Sequence, residues 1–248
     1  MLRLGGSGDL AVLHVEPDGT ELPAFEAGQH TTLAFERDGE LVERYFSIAS
    51  APEERDAWEF YIRRPAPRSG DQDKTDLFDL HPGARLWLSP PGGRFTLGRS
   101  SCRHLAFVAS GTGLAPFISM LRHLRLSGKT PAGVTLWHGA RLEGDLGYRD
   151  ELETLEQEGP FPFRYLPTLT GEDASGVSRG RVEDLFCSFL GLPGAGGCEL
   201  RRERESIAPL LPPGDTGVFL CGWPDMIRTV AARAEGTPWE EHLVYDLW

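Results

Sequence analysis

The sequence predicts two joined halves: a β-rich first half, an antiparallel barrel or sandwich, and an α/β second half built on a parallel sheet. Three observations carry this. Up to about residue 100, short runs of β-favouring residues recur at even spacing between Gly, Pro and Asp clusters. Beyond that point, apolar runs of strand length alternate with stretches of helical apolar spacing. At the first such alternation, Ser110-Gly111-Thr112-Gly113-Leu114-Ala115-Pro116 makes a small-residue turn directly after a strand and before a helix.

In order, strands are predicted over 9–16, 30–36, 42–49, 58–64 and 85–89, with Pro82-Gly83 and Pro90-Pro91-Gly92-Gly93 as turns. The period then changes. A buried strand over 105–109 leads to a helix over 116–125, and a strand over 134–138 to an amphipathic helix over 148–158. A third strand covers 163–166, followed by a helix over 181–190. A fourth strand over 218–221 leads to a helix over 226–234 and a terminal strand over 242–248. The junction falls near 94–103, giving domains of 1–98 and 99–248. Residues 191–197 read as a surface loop, and there is no internal repeat.

The chain has 248 residues, 40% of them hydrophobic, enough for one large or two ordinary domains with cores of their own. Thirty Gly and 19 Pro make it rich in turns without reaching low complexity. Lys and Arg number 25 against 37 Asp and Glu, a net charge of −12, which argues against a nucleic-acid or membrane-surface binder. The short basic runs at 63–68 and 201–204 read as solvated faces. No window nears the roughly 18 apolar residues of a membrane span, and the N-terminus lacks the apolar stretch of a signal peptide, so a soluble cytoplasmic protein is expected. Cys102, Cys187, Cys198 and Cys221 form no CxxC pair, which disfavours a zinc site, an iron–sulfur cluster or a disulfide framework.

Three segments bear chemistry. In the Ser110–Pro116 turn, small residues let backbone approach a ligand and the helix N-terminus favours an anion, although tight packing alone would also call for glycine. Cys221-Gly222-Trp223-Pro224 likewise follows a strand and precedes a helix, so both turns lie at the carboxyl edge where parallel sheets bind ligands. A buried, inert Cys221 is the ordinary alternative. Arg44-Tyr45-Phe46-Ser47-Ile48 sits in the β half and offers a planar cation, aromatic faces and a hydroxyl. A regular strand puts Arg44, Phe46 and Ile48 on one face and Tyr45 and Ser47 on the other.

Together and in this order, these segments resemble the ferredoxin–NADP reductase superfamily in its short bacterial form, over essentially the whole chain. Arg44-Tyr45-Phe46-Ser47 is similar to its RxYS flavin motif, Gly111–Phe117 to its nicotinamide pyrophosphate turn and Cys221–Pro224 to its CGxP turn. Pro91–Phe95, Trp137–Arg141, Tyr148–Leu152 and the C-terminal aromatic add to the match. The resemblance implies a Greek-key barrel that binds FAD, followed by a Rossmann-like domain that binds NADPH or NADH.

By that resemblance, Arg44 binds a flavin phosphate, Phe46 stacks on the flavin ring and Ser47 bonds near its N5, with Tyr45, Ile48 and Arg63 beside them. Phe46 stands where the family often has Tyr, which keeps the stacking face and loses a phenol hydrogen bond. Asp73, Lys74 and Thr75 take the place of a further phosphate turn. Gly111, Thr112, Gly113 and Pro116 hold the nicotinamide pyrophosphate, and Cys221 and Gly222 lie beside the nicotinamide. Trp248 covers the open flavin face, with Asp246 as the acidic group two residues earlier; a one-residue shift would put Leu247 there instead. Catalytic roles fall to Ser47, Cys221, Asp246 and Trp248.

One departure touches the ribose. NADP-specific relatives often carry a Ser-Arg pair where this chain has Thr170-Gly171, which leaves Arg141, Arg179 and Arg181 as the candidates for a 2′-phosphate. The implied reaction is hydride transfer from NAD(P)H to FAD and single electrons onward to a ferredoxin- or flavodoxin-like acceptor, by a monomer without a metal. The alternatives are the reductase component of a multicomponent oxygenase, a free-flavin or quinone reductase, and a non-catalytic flavoprotein subunit of a larger complex.

Overall fold

The structure, a computed structural model, describes residues 2–3, 9–37, 39–64, 77–194 and 204–245. In the first half, β1 (Leu2–Arg3), β2 (Leu10–Val15) and β5 (Trp58–Arg63) form one antiparallel sheet in the order β1-β2-β5. A second antiparallel sheet runs β4 (Glu40–Ser47), β3 (His30–Arg37), β6 (Trp87–Leu88). Bridges between Ile48 and Phe60 and between His30 and Gly92 continue the pairing beyond the named strands. Strand β6 is shorter than the 85–89 expected: Trp87 and Leu88 pair in register with β3, and the Ser89 amide adds a hydrogen bond to the Thr32 carbonyl at 3.1 Å.

Alternation explains the barrel interior. Ala11, Leu13 and Val15 of β2 meet Leu33 and Phe35 of β3 and Trp58, Phe60 and Ile62 of β5 in one core. Strand β2 is nevertheless apolar on both faces. Its other residues, Leu10 and Val12, join Tyr61, Phe107, Phe117 and Leu121 in the core of the second half. The barrel therefore abuts the α/β half along β2 and β5.

In the second half β7 (His104–Ser110), β8 (Gly133–Ala140), β9 (Phe163–Leu169), β10 (Ser178–Arg179), β11 (Thr216–Cys221) and β12 (Leu243–Tyr245) form a wholly parallel sheet in the order β10-β9-β8-β7-β11-β12. Both faces are covered, which is why β8 and β11 are buried at every position. On one face lie α1 (Ala115–Ser127) and α2 (Arg149–Glu158), with Phe107 stacked on Phe117 at 4.7 Å and edge-on to Phe219 at 5.7 Å. On the other lie α3 (Val182–Leu190) and α5 (Pro224–Ala234), where Trp137 packs between Phe186 and Phe189. Burying each such ring contributes roughly 1.5–3 kcal/mol. A four-residue helix, α4 (Arg204–Ile207), precedes β11. The expected helices and strands stand within a few residues of their predicted ends, and β1, β10 and α4 are additional. Among the described residues no helix is long and apolar enough to cross a membrane.

Candidate active site

The chain adds strands to one side of β7 up to β10, then returns to add β11 and β12 on the other side. The order thus reverses between β7 and β11, and a crevice opens there at the carboxyl ends of the strands, where open α/β sheets bind ligands. The barrel closes its second wall. The resulting cleft holds about 270 Å³ and is lined by Ser110, Thr112, Gly113, Ala115, Cys221, Gly222, Trp223 and Pro224 from the sheet side. His30, Tyr45, Phe46, Ser47, Tyr61 and Arg63 line it from the barrel.

The two sheet-side turns touch each other. A Cβ on Gly113 would stand 2.3 Å from the Cys221 carbonyl oxygen and 2.5 Å from the Gly222 Cα, so the residue must be glycine for lack of space. Gly222 has φ +138, and a Cβ there would meet Ser110 Oγ at 2.2 Å. The Trp223 amide then donates to Ser110 Oγ at 2.8 Å, which locks β7 to the start of α5. Gly111 differs. Its φ is +56, yet the nearest atoms to an added Cβ are Arg63 Nη2 at 3.9 Å and Trp223 Nε1 at 4.0 Å, so open space lies above it beside a cation and an indole. The first turn of α1 follows, with Pro116 in its N-terminal positions. The Ala115 amide donates back to the Thr112 carbonyl and Pro116 has no amide hydrogen, so the donors at this helix start are those of the Gly111–Leu114 turn, and the helix dipole favours an anion there. Open space, amide donors, a guanidinium and aromatic faces in one cleft fit a phosphate-bearing, planar cofactor.

On the barrel side, Ser47 is half-buried and pairs in register with His30. Tyr45 is 69% exposed and its ring stands edge-to-face with His30 at 6.1 Å. Phe46 is half-buried, with one side committed to the barrel through an edge contact with Phe60 at 6.5 Å. Ile48 is wholly buried in the barrel core, so its side chain lies outside the cleft. Arg44 is exposed and also stands outside the cleft lining, its Nη1 donating to the Glu43 carbonyl at 2.8 Å.

The remaining sequence candidates divide. Arg141 and Arg181 are exposed beyond the carboxyl ends of β8 and β10, on the same edge of the sheet but away from the cleft lining, and Arg181 is paired with Glu183. Arg179 is paired with Asp173 at 2.9 Å. Gly171 is filled in by its neighbour: a side chain there would meet the Arg141 carbonyl oxygen at 2.7 Å and its Cγ at 2.9 Å. Asp73, Lys74, Thr75, Asp246 and Trp248 lie outside the described residues.

Sequence reasoning missed His30 and Tyr61, and placed Ser110 and Trp223 in its two turns without giving either side chain a role. His30 and Tyr61 sit in strands whose pattern reads as barrel. Trp223 was within a quoted motif, and its 66% exposure marks it as more than packing. Tyr61 hydroxyl donates to the Asp145 carbonyl at 3.3 Å, and burial pushes its phenol well above the usual range, so it remains a neutral donor. A larger cavity of about 660 Å³ opens at the amino ends of the same sheet, beside Arg103, Leu105, Lys129 and Ala132. It contains none of the motif residues, which leaves the smaller cleft as the candidate.

Comparison with known proteins identifies the family. The family described as the oxidoreductase NAD-binding domain matches residues 107–232. The chain is 37% identical over 219 residues to ferredoxin–NADP reductase B of Sorangium cellulosum, covering 86% of this chain and 80% of that protein. It is 30% identical over 246 residues to the reductase component of propane 2-monooxygenase from Rhodococcus jostii, covering 96% of this chain but 58% of that one. A solved ferredoxin NADP+ reductase from Neisseria gonorrhoeae, with bound FAD and NADP, aligns with a TM-score of 0.73 over 96% of this chain and 92% of that chain. Its identity is 20%, so that likeness speaks to the fold.

Proposed function

The chain belongs to the ferredoxin–NADP reductase superfamily, and from that premise we propose that it moves electrons from NADPH or NADH, through a bound FAD, to a ferredoxin- or flavodoxin-like carrier. The observation that carries this reading is the meeting, in one cleft, of Ser47 from the barrel with Gly113, Cys221 and Gly222 from the sheet. In this reading residues 1–98 hold the flavin and residues 99–248 the nicotinamide. When bound, FAD supplies uptake of an electron pair from the nicotinamide and release of single electrons.

The protein's part is binding and orientation. Arg44 turns from its Glu43 carbonyl contact to a flavin phosphate, a charge-assisted contact of the stronger kind. Tyr45 and Phe46 offer aromatic faces, and Ser47 offers a hydroxyl at the reacting edge. The amides of the 111–114 turn, with Arg63 beside them, take the nicotinamide pyrophosphate. Cys221 and Gly222, which line the cleft, would support a bound nicotinamide. Arg141 and Arg181 are the residues for the ribose edge, with no arginine at Gly171 to complete a fork. Asp73, Lys74 and Thr75 serve a further phosphate, and Asp246 and Trp248 close the open flavin face.

The protein works as a monomer in the cytoplasm in this account, without nucleic acid or membrane as partner. The likeness to the propane monooxygenase component favours one second reading, in which the carrier belongs to a multicomponent oxygenase. Purified protein should be yellow, with one non-covalent FAD per chain, and should reduce artificial acceptors with NAD(P)H. A protein that holds FAD yet shows no such activity would instead be an electron-transfer subunit that needs its complex.

A further inference from the structure

Helix α1 reaches across to the barrel below the cleft. Ser119, wholly buried, donates its hydroxyl to the Ser50 carbonyl at 2.6 Å. One turn later, Arg122 Nη1 donates to the Ala49 carbonyl at 3.4 Å and to Glu59 Oε1 at 3.0 Å. The other side of the same guanidinium takes both oxygens of Glu151 at 2.7 Å. Tyr148 donates its hydroxyl to Glu59 Oε1 at 2.7 Å, and its ring centre lies 5.5 Å from the Arg122 guanidinium carbon. Tyr148 holds φ +59 to do so, the only non-glycine among the described residues with positive φ. Burial works against the Arg122 charge, but Glu151 and Glu59 more than offset it and raise its pKa above the ordinary arginine value.

Strand β5 grips the same barrel segment from the other side. The Glu59 carbonyl accepts from the Ala49 amide at 2.7 Å, and the Glu59 amide donates to Ser50 Oγ at 2.7 Å. Ala49 and Ser50 lie two and three residues after Ser47 in the chain, beyond the buried Ile48, and α1 begins directly after the Gly111–Leu114 turn. One rigid helix therefore carries the nicotinamide turn at its start and the two barrel contacts farther along. Apolar contact of Leu10 and Val12 with this side of the sheet holds the halves together, but apolar contact is non-directional. Hydrogen bonds to two successive carbonyls fix a distance.

Resting on the functional reading above, we propose that Ser119 and Arg122 are positioning residues for electron delivery: they set the separation between Ser47 and the turn that opens their own helix. Neither touches the cleft. The small displacement that their loss would allow acts on the rate of the chemical step, where a misplacement of about 1 Å can cost roughly a hundredfold.

The test uses the purified flavin-loaded protein with Ser119→Ala, which removes one oxygen, and Arg122→Met, which keeps the stem and removes the fork. Each is mixed anaerobically with saturating NADPH or NADH, and amide exchange of residues 48–51 is followed separately without nicotinamide. The expected result is retained flavin, a nicotinamide KM within about twofold of wild type, faster exchange over 48–51, and flavin reduction slowed by about tenfold or more in Arg122→Met. Ser119→Ala should slow it by about threefold or more. Should Arg122→Met fail to fold, Ser119→Ala decides. Reduction rates at saturation equal to wild type, whatever the exchange or thermal stability, would show that the contacts only stabilise the fold and overturn the proposal. A raised KM with an unchanged limiting rate would do the same. Wild-type flavin left oxidised by both nicotinamides would contradict the functional reading itself, and the proposal with it.

Discussion

Gly113→Ala is the sharpest perturbation of the cleft. The position has an ordinary negative φ, so alanine meets no backbone strain there; the obstacle is space. The new methyl would stand 2.3 Å from the Cys221 carbonyl oxygen, 2.5 Å from its carbon and 2.5 Å from the Gly222 Cα, all backbone atoms that no rotamer change can move. Restoring an ordinary 3.4 Å contact requires the two turns to separate by about 1 Å. Overpacking of this kind costs about 1–3 kcal/mol of stability. In the proposed function the larger effect falls on the chemistry, because the same separation moves the Cys221-Gly222 turn proposed to support the nicotinamide relative to Ser47. A shift of about 1 Å is expected to slow flavin reduction by roughly a hundredfold. The assay is anaerobic stopped-flow reduction at saturating nicotinamide, with flavin content measured first. In the proposed reading the flavin is held by the barrel, so FAD should be retained. A folded variant that holds FAD and is reduced within about threefold of the wild-type rate would refute the claim that the close approach of the two turns sets the reacting geometry.

Four further outcomes follow from the same account. Arg44→Ala should lose FAD more readily, by about ten- to a hundredfold in affinity for a charge-assisted phosphate contact worth about 1.5–3 kcal/mol, read by flavin release on dilution; unchanged retention would remove Arg44 from the site. Cys221→Ala and Ser47→Ala should slow flavin reduction more than they weaken NAD(P)H binding, and unchanged rates in both would return Cys221 to a packing role. Comparison of kcat/KM for the two nicotinamides should show weak preference or a tilt to NADH, because Gly171 leaves the ribose fork incomplete; preference for NADPH beyond about a hundredfold, near 2.7 kcal/mol, would mean that Arg141, Arg179 or Arg181 compensates. His138, wholly buried on β8 with its Nδ1 3.0 Å from the Tyr165 hydroxyl, is lowered by burial from 6.5 to about 4. The folded state then binds fewer protons than the unfolded one between those values, so this contribution is full above pH 6.5 and is lost as pH falls to about 4, approaching about 3 kcal/mol. Denaturant titrations at pH 7 and 4.5 should show a smaller difference for His138→Gln than for wild type, and equal differences would refute it.

The fold was legible where burial imposes a period. Strand β3 sends Leu33 and Phe35 into the barrel core, β7 is apolar on both faces because helices cover both, and α3 carries its apolar stripe against β8. The misses have physical causes. Strand β10 is two polar or charged residues, Ser178 and Arg179, tied to β9 by backbone pairing, which no side-chain pattern reveals. Strand β2 looked like a plain barrel strand, while Leu10 and Val12 form the seam between the halves, a contact that depends on the tertiary arrangement. In the site, the glycines were readable because Gly113 and Gly222 answer to close backbone approach, and Cys221 because it ends a strand at the switch point. Tyr61 and His30 were not, since an aromatic within a strand looks the same whether it faces a core or a cleft. Ile48 shows the converse: its neighbours line the cleft, while its own side chain fills the barrel, which alternation alone does not tell apart. The Arg122 and Glu59 pairing joins residues 63 positions apart, beyond any local pattern.

In the proposed function one cleft, walled by barrel and sheet, passes electrons from a nicotinamide to a one-electron carrier. Its most direct test is an anaerobic experiment on purified protein: titrate with NADH and with NADPH while recording the flavin spectrum, then add a one-electron carrier such as ferredoxin. The account predicts a yellow protein whose flavin bleaches with about one equivalent of reduced nicotinamide and regains its colour as the carrier takes up two electrons one at a time. A folded, colourless protein that cannot be reconstituted with FAD, or a bound flavin that neither nicotinamide bleaches, would contradict it.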